Sequence, residues 1–432
     1  TNVSILKKRY NIIKNFLKDD LWTKFEPHLK NIYDIERLQR KIVLGRIHPS
    51  EFYNLDESYK SVDQILELFG LLKTKTRTTL LPDDHINKNF TNFREYYNSI
   101  FNIDEMMKWN LNLIGSNIFK PGIYDSIDKI WNEIVSINKF FDTMPQLLSV
   151  HIDDKKVVVH HEHNDRYGHY FAMTRKRSTT FKTKILESLK PIEYNGVKFR
   201  SNDFIYKYQG QKCRLSSTYI EKKSDRLILL LNRLHKISLE CYADSLDNIS
   251  KKWAKIFKPL VEIVSKTDFY KSAAKLSLKY GYCCPKVSKG DGGCISATAI
   301  RHPIIERINT DTEYIANDIN LGNDISGMLL YGVNASGKSS LMKSVGLNII
   351  LAQAGMWTAA SEFKFSPYRS LFTRIGNSDN IFRGQSTFEV EMSELRNIMK
   401  RSDKYSLILG DELCSGTEST SAISIVSAGV IT

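Results

Sequence analysis

The chain has 432 residues, 42% hydrophobic and 25% charged, with 62 Lys and Arg against 48 Asp and Glu and a formal net charge of +14. That length allows two to four domains with proper cores, and the composition is that of a soluble globular protein. No run approaches the ~18 apolar residues of a membrane span, no apolar signal core follows the lysine-rich start, and the six cysteines form no C-x-x-C pair, which excludes a membrane-spanning, secreted or zinc-ribbon reading. The protein reads as intracellular, compartment unspecified, with no membrane partner. Its excess positive charge points to an anionic partner, nucleic acid before lipid. The first residue is Thr and the helical pattern has already begun there, as in a piece cut at its front.

Residues 1–150 are helical by pattern. Ile35, Leu38 and Ile42 share one face, as do Leu55, Tyr59, Val62, Ile65 and Phe69. Gly45, His48-Pro49, Pro82-Asp83 and Lys120-Pro121-Gly122 separate the helices. From 151 to 216 the period changes to two. Val157–Val159 and Gly168–Thr174 are strand-like, and Asn195-Gly196 inside Ile192–Phe199 is the strongest short hairpin signal. This segment holds 14 Lys and Arg against 7 Asp and Glu, half of the chain's excess. Arg175, Lys176, Arg177, Lys182, Lys184, Lys198, Arg200 and Lys207 are interleaved with Tyr167, Tyr170, Phe181 and Tyr206. That pattern suits a sequence-independent, salt-sensitive surface for a phosphate backbone. A merely solvated basic face is the alternative. His160, His161, His163 and His169 lie in the same stretch, but without a closed ligand set they are read as exposed or DNA-facing and not as a metal site.

Helical periodicity returns over 217–280, with stripes through Leu227, Leu231 and Leu234 and through Trp253, Ile256, Leu260 and Ile263. A β module inserted between an incoming and an outgoing long helix follows. Gly281, Pro285 and Gly290–Gly293 mark the next boundary. Ile295–Ile300 and Tyr314–Leu321 read as strands, and Met328–Tyr331 as a third. The run from Gly332 to Ser339 fits G-x-x-x-x-G-K-[ST], the phosphate-cradling loop, with a helix starting near Lys338. Lys338 would reach the β- and γ-phosphates and Ser339 would hold Mg²⁺. Leu371–Ile375 is a further strand. Ser386 or Thr387 caps a helix with Glu389 and Glu391 in its first turn. Ser406–Gly410 is an apolar strand ending in Asp411-Glu412. On a phosphate-loop fold Asp411 would serve Mg²⁺ and Glu412 would polarise the attacking water.

In this order and spacing, Ile300-Arg301-His302-Pro303, Tyr331–Ser340, Phe372–Gly376, Gly384–Met392 and Leu407–Thr420 resemble the motifs of the MutS family of DNA mismatch-repair ATPases. A weaker likeness reaches back over nearly the whole chain, with Gly168–Phe171 matching a strand motif of the family's clamp. The resemblance implies a multidomain α and α/β protein. Residues 1–150 would be the first part of a helical core and lever, 151–216 an inserted β-rich DNA clamp, and 217–280 the second part of the lever. Residues 281–432 would be a P-loop, ABC-type ATPase α/β domain, incomplete at its C-terminal end.

The same resemblance implies ATP and Mg²⁺ as cofactors. The nucleotide would lie on Gly332, Asn334, Ala335, Ser336, Gly337, Lys338, Ser339 and Ser340, with Asn334 near the γ-phosphate and Tyr314 stacking on adenine. Ser386, with Thr387 in the same loop, would reach the nucleotide of a partner subunit. The implied partners are mismatched or branched duplex DNA, a second copy or a related MutS subunit, and downstream repair factors. Val333, Ala335 and Ser336 stand where the family usually has Pro, Met and Gly, and Cys414 where it usually has Gly. The family's mismatch-reading domain with its Phe-x-Glu wedge has no equivalent here, and the chain stops before the family's downstream His and dimerisation helices. Two readings therefore stand. One is an ATP-dependent clamp of mismatch repair. The other is a clamp for four-way junctions, with nucleotide binding as the switch and little hydrolysis. A third reading, an SMC-like or transporter-linked ATPase, lacks the long coiled coils or coupling segments it needs.

Overall fold

The computed structural model describes residues 2–81, 85–153, 156–188, 191–308, 313–322, 325–375, 387–411, 413 and 419–431, the backbone alone at 387–390, 419 and 429–431. Its first helices are α1 (Val3–Leu17), α2 (Trp22–Lys30), α3 (Ile35–Val43) and α4 (Pro49–Leu68). Then come α5 (Thr74–Leu80), α6 (His85–Ile100), α7 (Ile103–Met106) and α8 (Asp125–Val150). Strands β1 (His160–Asn164) and β2 (Gly168–Thr174) lead to α9 (Arg175–Glu187). Strands β3 (Ile192–Tyr194), β4 (Val197–Phe199), β5 (Ile205–Gln209) and β6 (Lys212–Ser216) precede the 62-residue α10 (Thr218–Lys279). The last part carries β7 (Lys286–Val287), β8 (Cys294–Ile300), α11 (Ile305–Ile308), β9 (Asn317–Leu321) and α12 (Lys338–Ala354). It continues with β10 (Glu362–Ser366), β11 (Ser370–Arg374), α13 (Thr387–Arg401), β12 (Ser406–Gly410) and α14 (Ser419–Ile431). This is a mixed helical and sheet, multidomain chain. Among the described residues no helix is long and apolar enough to cross a membrane.

The chain divides into two units, Thr1–Lys30 with Val62–Asp83 and Glu262–Thr432, and Asn31–Ser61 with Asp84–Val261. In the second, aromatic side chains at helical spacing build the core. Tyr59 of α4 meets Phe90 and Phe93 of α6 edge-on at 5.3 and 5.7 Å, a favoured ring geometry. Buried Asp56 accepts a 2.6 Å hydrogen bond from Tyr97 Oη and pairs with Lys60. The β module follows from its turn chemistry. Asn195 and Gly196 both take positive φ, 44° and 81°, which closes the β3–β4 hairpin. The other four strands form an antiparallel sheet in the order β1-β2-β6-β5. Phe140 of α8 anchors the module against Phe171, Tyr194 and Tyr219.

In the first unit a four-stranded sheet, β7-β10-β8-β9, and a parallel pair, β11–β12, share one apolar core with α12. Gly346 lets α12 approach β12 closely, since a Cβ there would meet Leu409 at 2.6 Å. Helix α1 closes the other end. Tyr10 Oη donates to the Ala352 carbonyl at 2.6 Å, and Arg9 Nη1 to that of Ala354 at 2.8 Å.

Two expected strands are not strands. Val157–Val159 is extended but unpaired, because the Val158 and Val159 N–H groups both donate to Ser149 Oγ, at 2.9 and 3.0 Å, in place of a ladder. Met328–Tyr331 has no ladder partner among the described residues and is exposed, Leu329 at 85% and Tyr331 at 92%. The segment 151–216 also contains a 13-residue helix, α9, which its mix of Lys, Arg and Thr with only Ser178, Phe181 and Ile185 buried did not announce.

Asn348, fully buried in α12, donates from Nδ2 to the Arg301 and Ser344 carbonyls, at 3.0 and 2.9 Å, and accepts from the Ala359 N–H at 2.7 Å. Asn348→Ala should destabilise the first unit by about 2–4 kcal/mol, because it strands a buried donor and acceptor. The urea midpoint of that unit's transition measures it, and a loss below ~0.5 kcal/mol, the size of a surface substitution, would refute the assignment.

Candidate nucleotide site and nucleic-acid interface

The chain from Gly332 to Ser340 makes a tight loop that runs into the first turn of α12. Two residues take left-handed φ, Ala335 at 63° and Gly337 at 93°. For Ala335 that conformation costs roughly 1–2 kcal/mol, the kind of local strain that gathers at functional loops. At Gly332 a Cβ would come to 3.0 Å from Ser336 Oγ. Lys338 folds back so that Nζ donates to the Gly332 and Val333 carbonyls at 2.7 and 2.9 Å. Among the described residues the N–H groups of Asn334, Ala335, Gly337, Lys338, Ser339 and Ser340 have no acceptor. A run of unpaired N–H groups at a helix start beside an ammonium fits a polyphosphate. The donor set therefore suits the phosphates of ATP.

The acidic side is partly described. Asp411 follows β12, half-buried, and its N–H donates to the Arg374 carbonyl at 2.9 Å. Arg374, buried at the end of β11, pairs with Glu394 of α13 at 3.1 Å. Glu412, Ser386 and Cys414 lie outside the described residues. Thr387 opens α13, where only the backbone is described. Tyr314 is half-buried. Burial pushes its phenol upward, a hydrogen bond with Ser344 of α12 opposes that, and the Glu306 carboxylate adds to the rise. Its hydroxyl thus lies against α12 two turns beyond the loop. Among the described residues no group of three or more His, Cys, Asp or Glu could hold a metal ion.

Two arginines carry structural work that spacing alone did not announce. Arg301 donates to the Tyr280 and Gly281 carbonyls, at 2.9 and 3.2 Å, and to Glu306 at 2.8 Å. Beside it, His302 Nδ1 accepts the Ile304 and Ile305 N–H groups, and burial holds its pKa below the ordinary value. The second is Arg214 of β6, which lies 3.7 Å from the Tyr167 ring centroid and 5.6 Å from that of Tyr170. The letters Phe-x-Glu do occur, at Phe93-Arg94-Glu95. Phe93 is fully buried on α6 against Tyr59, Tyr97 and Trp253, so this is core and not a wedge.

The expected nucleic-acid residues fall on two kinds of support. Arg175, Lys176, Arg177, Lys182 and Lys184 ride on α9, which Thr174 caps by accepting the Arg177 N–H. Lys198 is on β4, Arg200 just after it, and Lys207 on β5. All are exposed except Arg177, which is half-exposed. Arg175 stacks on Tyr208 at 5.2 Å and Lys182 on Tyr206 at 5.8 Å, while Lys184 Nζ is tied to the Ile152 carbonyl at 3.3 Å. Of the four histidines His160 and His163 are exposed, while His161 and His169 are half-buried. His161 Nε2 and His169 Nδ1 are 2.9 Å apart, His161 stacks on Phe141, and His163 lies 4.4 Å from the His169 ring. Burial first, then His163 and His161, pushes His169 down to about 4. Burial lowers His161 against the opposing pull of Asp142.

The family model for MutS domain V matches residues 328–431. A mutS-homologue DNA mismatch repair protein of Acanthamoeba polyphaga mimivirus is 29% identical over 98% of this chain and 42% of its own length. The mitochondrial DNA mismatch repair protein mutS homologue of Sarcophyton glaucum is 35% identical over 62% of this chain and 27% of its own. The DNA mismatch repair protein MutS of Fusobacterium nucleatum is 27% identical over 99% and 44%. The chain spans less than half the length of these curated relatives.

The histidine cluster gives a signed pH dependence. Because the folded pKa of His169 is about 4 against an ordinary 6.5, the unfolded chain binds more protons between those values, and folding weakens as pH falls through that window. Thermal melting between pH 7.5 and 4.5 should therefore fall more steeply for the native chain than for His169→Gln. Equal slopes would remove the cluster as the cause.

Proposed function

The chain belongs to the MutS family, and we propose that it supplies the lever, clamp and nucleotide-binding parts of an ATP-dependent DNA clamp acting on mismatched DNA. The observation that carries this reading is the loop 332–340, with its unpaired N–H groups and Lys338 at the head of α12. In the reaction Lys338 turns from its loop carbonyls to the β- and γ-phosphates, and the loop N–H groups hold the phosphate oxygens. Ser339 and Asp411 would hold Mg²⁺, which supplies charge neutralisation between those phosphates. Glu412 orients and polarises the attacking water. Ser386 and Thr387 complete the site of a partner subunit, and Tyr314 contacts the base.

In this reading residues 151–216 are the clamp, and 1–150 and 217–280 the helical core and lever that join it to the ATPase residues 281–432. The basic side chains of α9 and of the β3–β4 hairpin meet the phosphate backbone without reading sequence. ATP binding and turnover shift the clamp between states through differential contacts.

Lys338→Ala should remove most nucleotide affinity. Glu412→Ala should leave affinity intact and slow turnover. Equal loss of both by Glu412→Ala, followed by fluorescent-nucleotide titration and phosphate release, would contradict the role given to that carboxylate. Replacing Arg175, Lys176 and Arg177 with Ala should weaken binding to paired, mismatched and four-way-junction DNA alike, and flatten the salt slope by roughly 1 for each phosphate that is no longer neutralised. An unchanged slope would count against the clamp surface. A native preference for the junction over the mismatch would favour a clamp for branched DNA.

A further inference from the structure

In the first unit a cleft of about 360 Å³ opens between α1 and the segment bearing α5. Lys8, Lys14 and Lys18 line it from the α1 side, and Lys73 and Lys75 from the other. No Asp or Glu is in the lining. Lys18 is 3.6 Å from Asp19, an exposed pair that solvent screens. Among the described residues the other four ammonium groups have no carboxylate within 4 Å.

The walls are polar as well as charged. Lys8, Asn11 and Asn15 recur at spacings of three and four residues, so they form one stripe of α1, and Lys18 follows directly after the helix. Asn15 Nδ2 donates to Thr76 Oγ1 at 2.5 Å. Thr76 is 3% exposed, and among the described residues nothing accepts its own hydroxyl proton. Like charges gathered around a concavity repel each other unless an anion stands among them. The Thr76 hydroxyl offers a neutral donor in the same place.

We propose that this cleft binds a small phosphate-rich anion with two or more linked phosphoryl groups, either inorganic oligophosphate or the phosphate tail of a nucleotide. The volume is that of a small-ligand pocket, too small to admit a duplex. Lysines are point charges on long stems, suited to an anion whose oxygens point in several directions.

The test uses the 432-residue chain carrying Lys338→Ala, so that the phosphate loop does not contribute. Calorimetric titration with inorganic tripolyphosphate should give saturable 1:1 binding. Lys14→Glu with Lys75→Glu should weaken it at least tenfold, about 1.4 kcal/mol, at an unchanged thermal midpoint, while Lys14→Arg with Lys75→Arg should retain it. A parallel titration with ATP separates the sources. Equal affinity assigns the phosphate chain alone, and tighter ATP binding assigns a nucleotide. Absence of tripolyphosphate binding, or binding indifferent to the charge reversals, overturns the proposal. So does a result in which the reversals weaken only duplex DNA binding.

Discussion

The buried amide of Asn348 is the interaction on which the first unit depends. A side-chain amide with no access to water must place its donors and its acceptor, or each one left over costs about 1–3 kcal/mol. Asn348 places them on three separate pieces of chain: its own helix at Ser344, the end of β8 at Arg301, and the segment at Ala359 that leads into β10. Arg301 then extends the network, because its guanidinium holds the two carbonyls that follow α10. One asparagine and one arginine thus fix the rotation of α12 and the place where α10 ends. The loop 332–340 can be irregular and exposed because these bonds hold the helix behind it.

The rest of α12 follows from that constraint. Met342, Val345, Ile349 and Ala352 are buried in the core shared with Leu407 and Leu409 of β12. The helix is apolar on several sides and so has little amphipathic signature of its own. It is covered from the end as well: Tyr10 of α1 adds a second hydrogen bond to the Ala352 carbonyl, which also accepts the Gly355 N–H, and Arg9 bonds the Ala354 carbonyl. Gly355, at φ 89°, ends it where a Cβ would collide with Arg9.

What could be read from the sequence divides along physical lines. The hairpin at Asn195-Gly196, the strand at Ser406–Gly410 and the helix start at Lys338 were legible because each rests on local chemistry: left-handed φ, alternation, or a glycine-rich turn. The docking of α1 onto α12 was not legible. It depends on a pair of hydrogen bonds between residues 342 and 345 positions apart in the chain, and α1 by itself is an ordinary amphipathic helix. Met328–Tyr331 has the composition of a strand, yet a strand exists only when another backbone meets it. Among the described residues none does. Val157–Val159 fails for the opposite reason, because a local serine satisfies the N–H groups first. The MutS motifs spoke for a family before any geometry was known, but they could not say that Arg301 holds the end of α10 or that His302 serves as an acceptor for two N–H groups.

The basic surface shows how such a protein separates charge from fold. None of the positive side chains of α9 is needed for its buried face, which consists of Ser178, Phe181 and Ile185, so the helix can carry five basic residues without a stability conflict. Some of the cations are held against rings: Arg214 of β6 and Arg175 and Lys182 of α9 lie over the rings of Tyr167, Tyr208 and Tyr206, which limits their motion and leaves less conformational entropy to lose when an anion arrives. In the proposed clamp the stacked cations would therefore fix position on a phosphate backbone, and the unstacked ones would attract it from a distance. That division explains why the aromatic residues are interleaved with the basic ones instead of lying apart from them in the core.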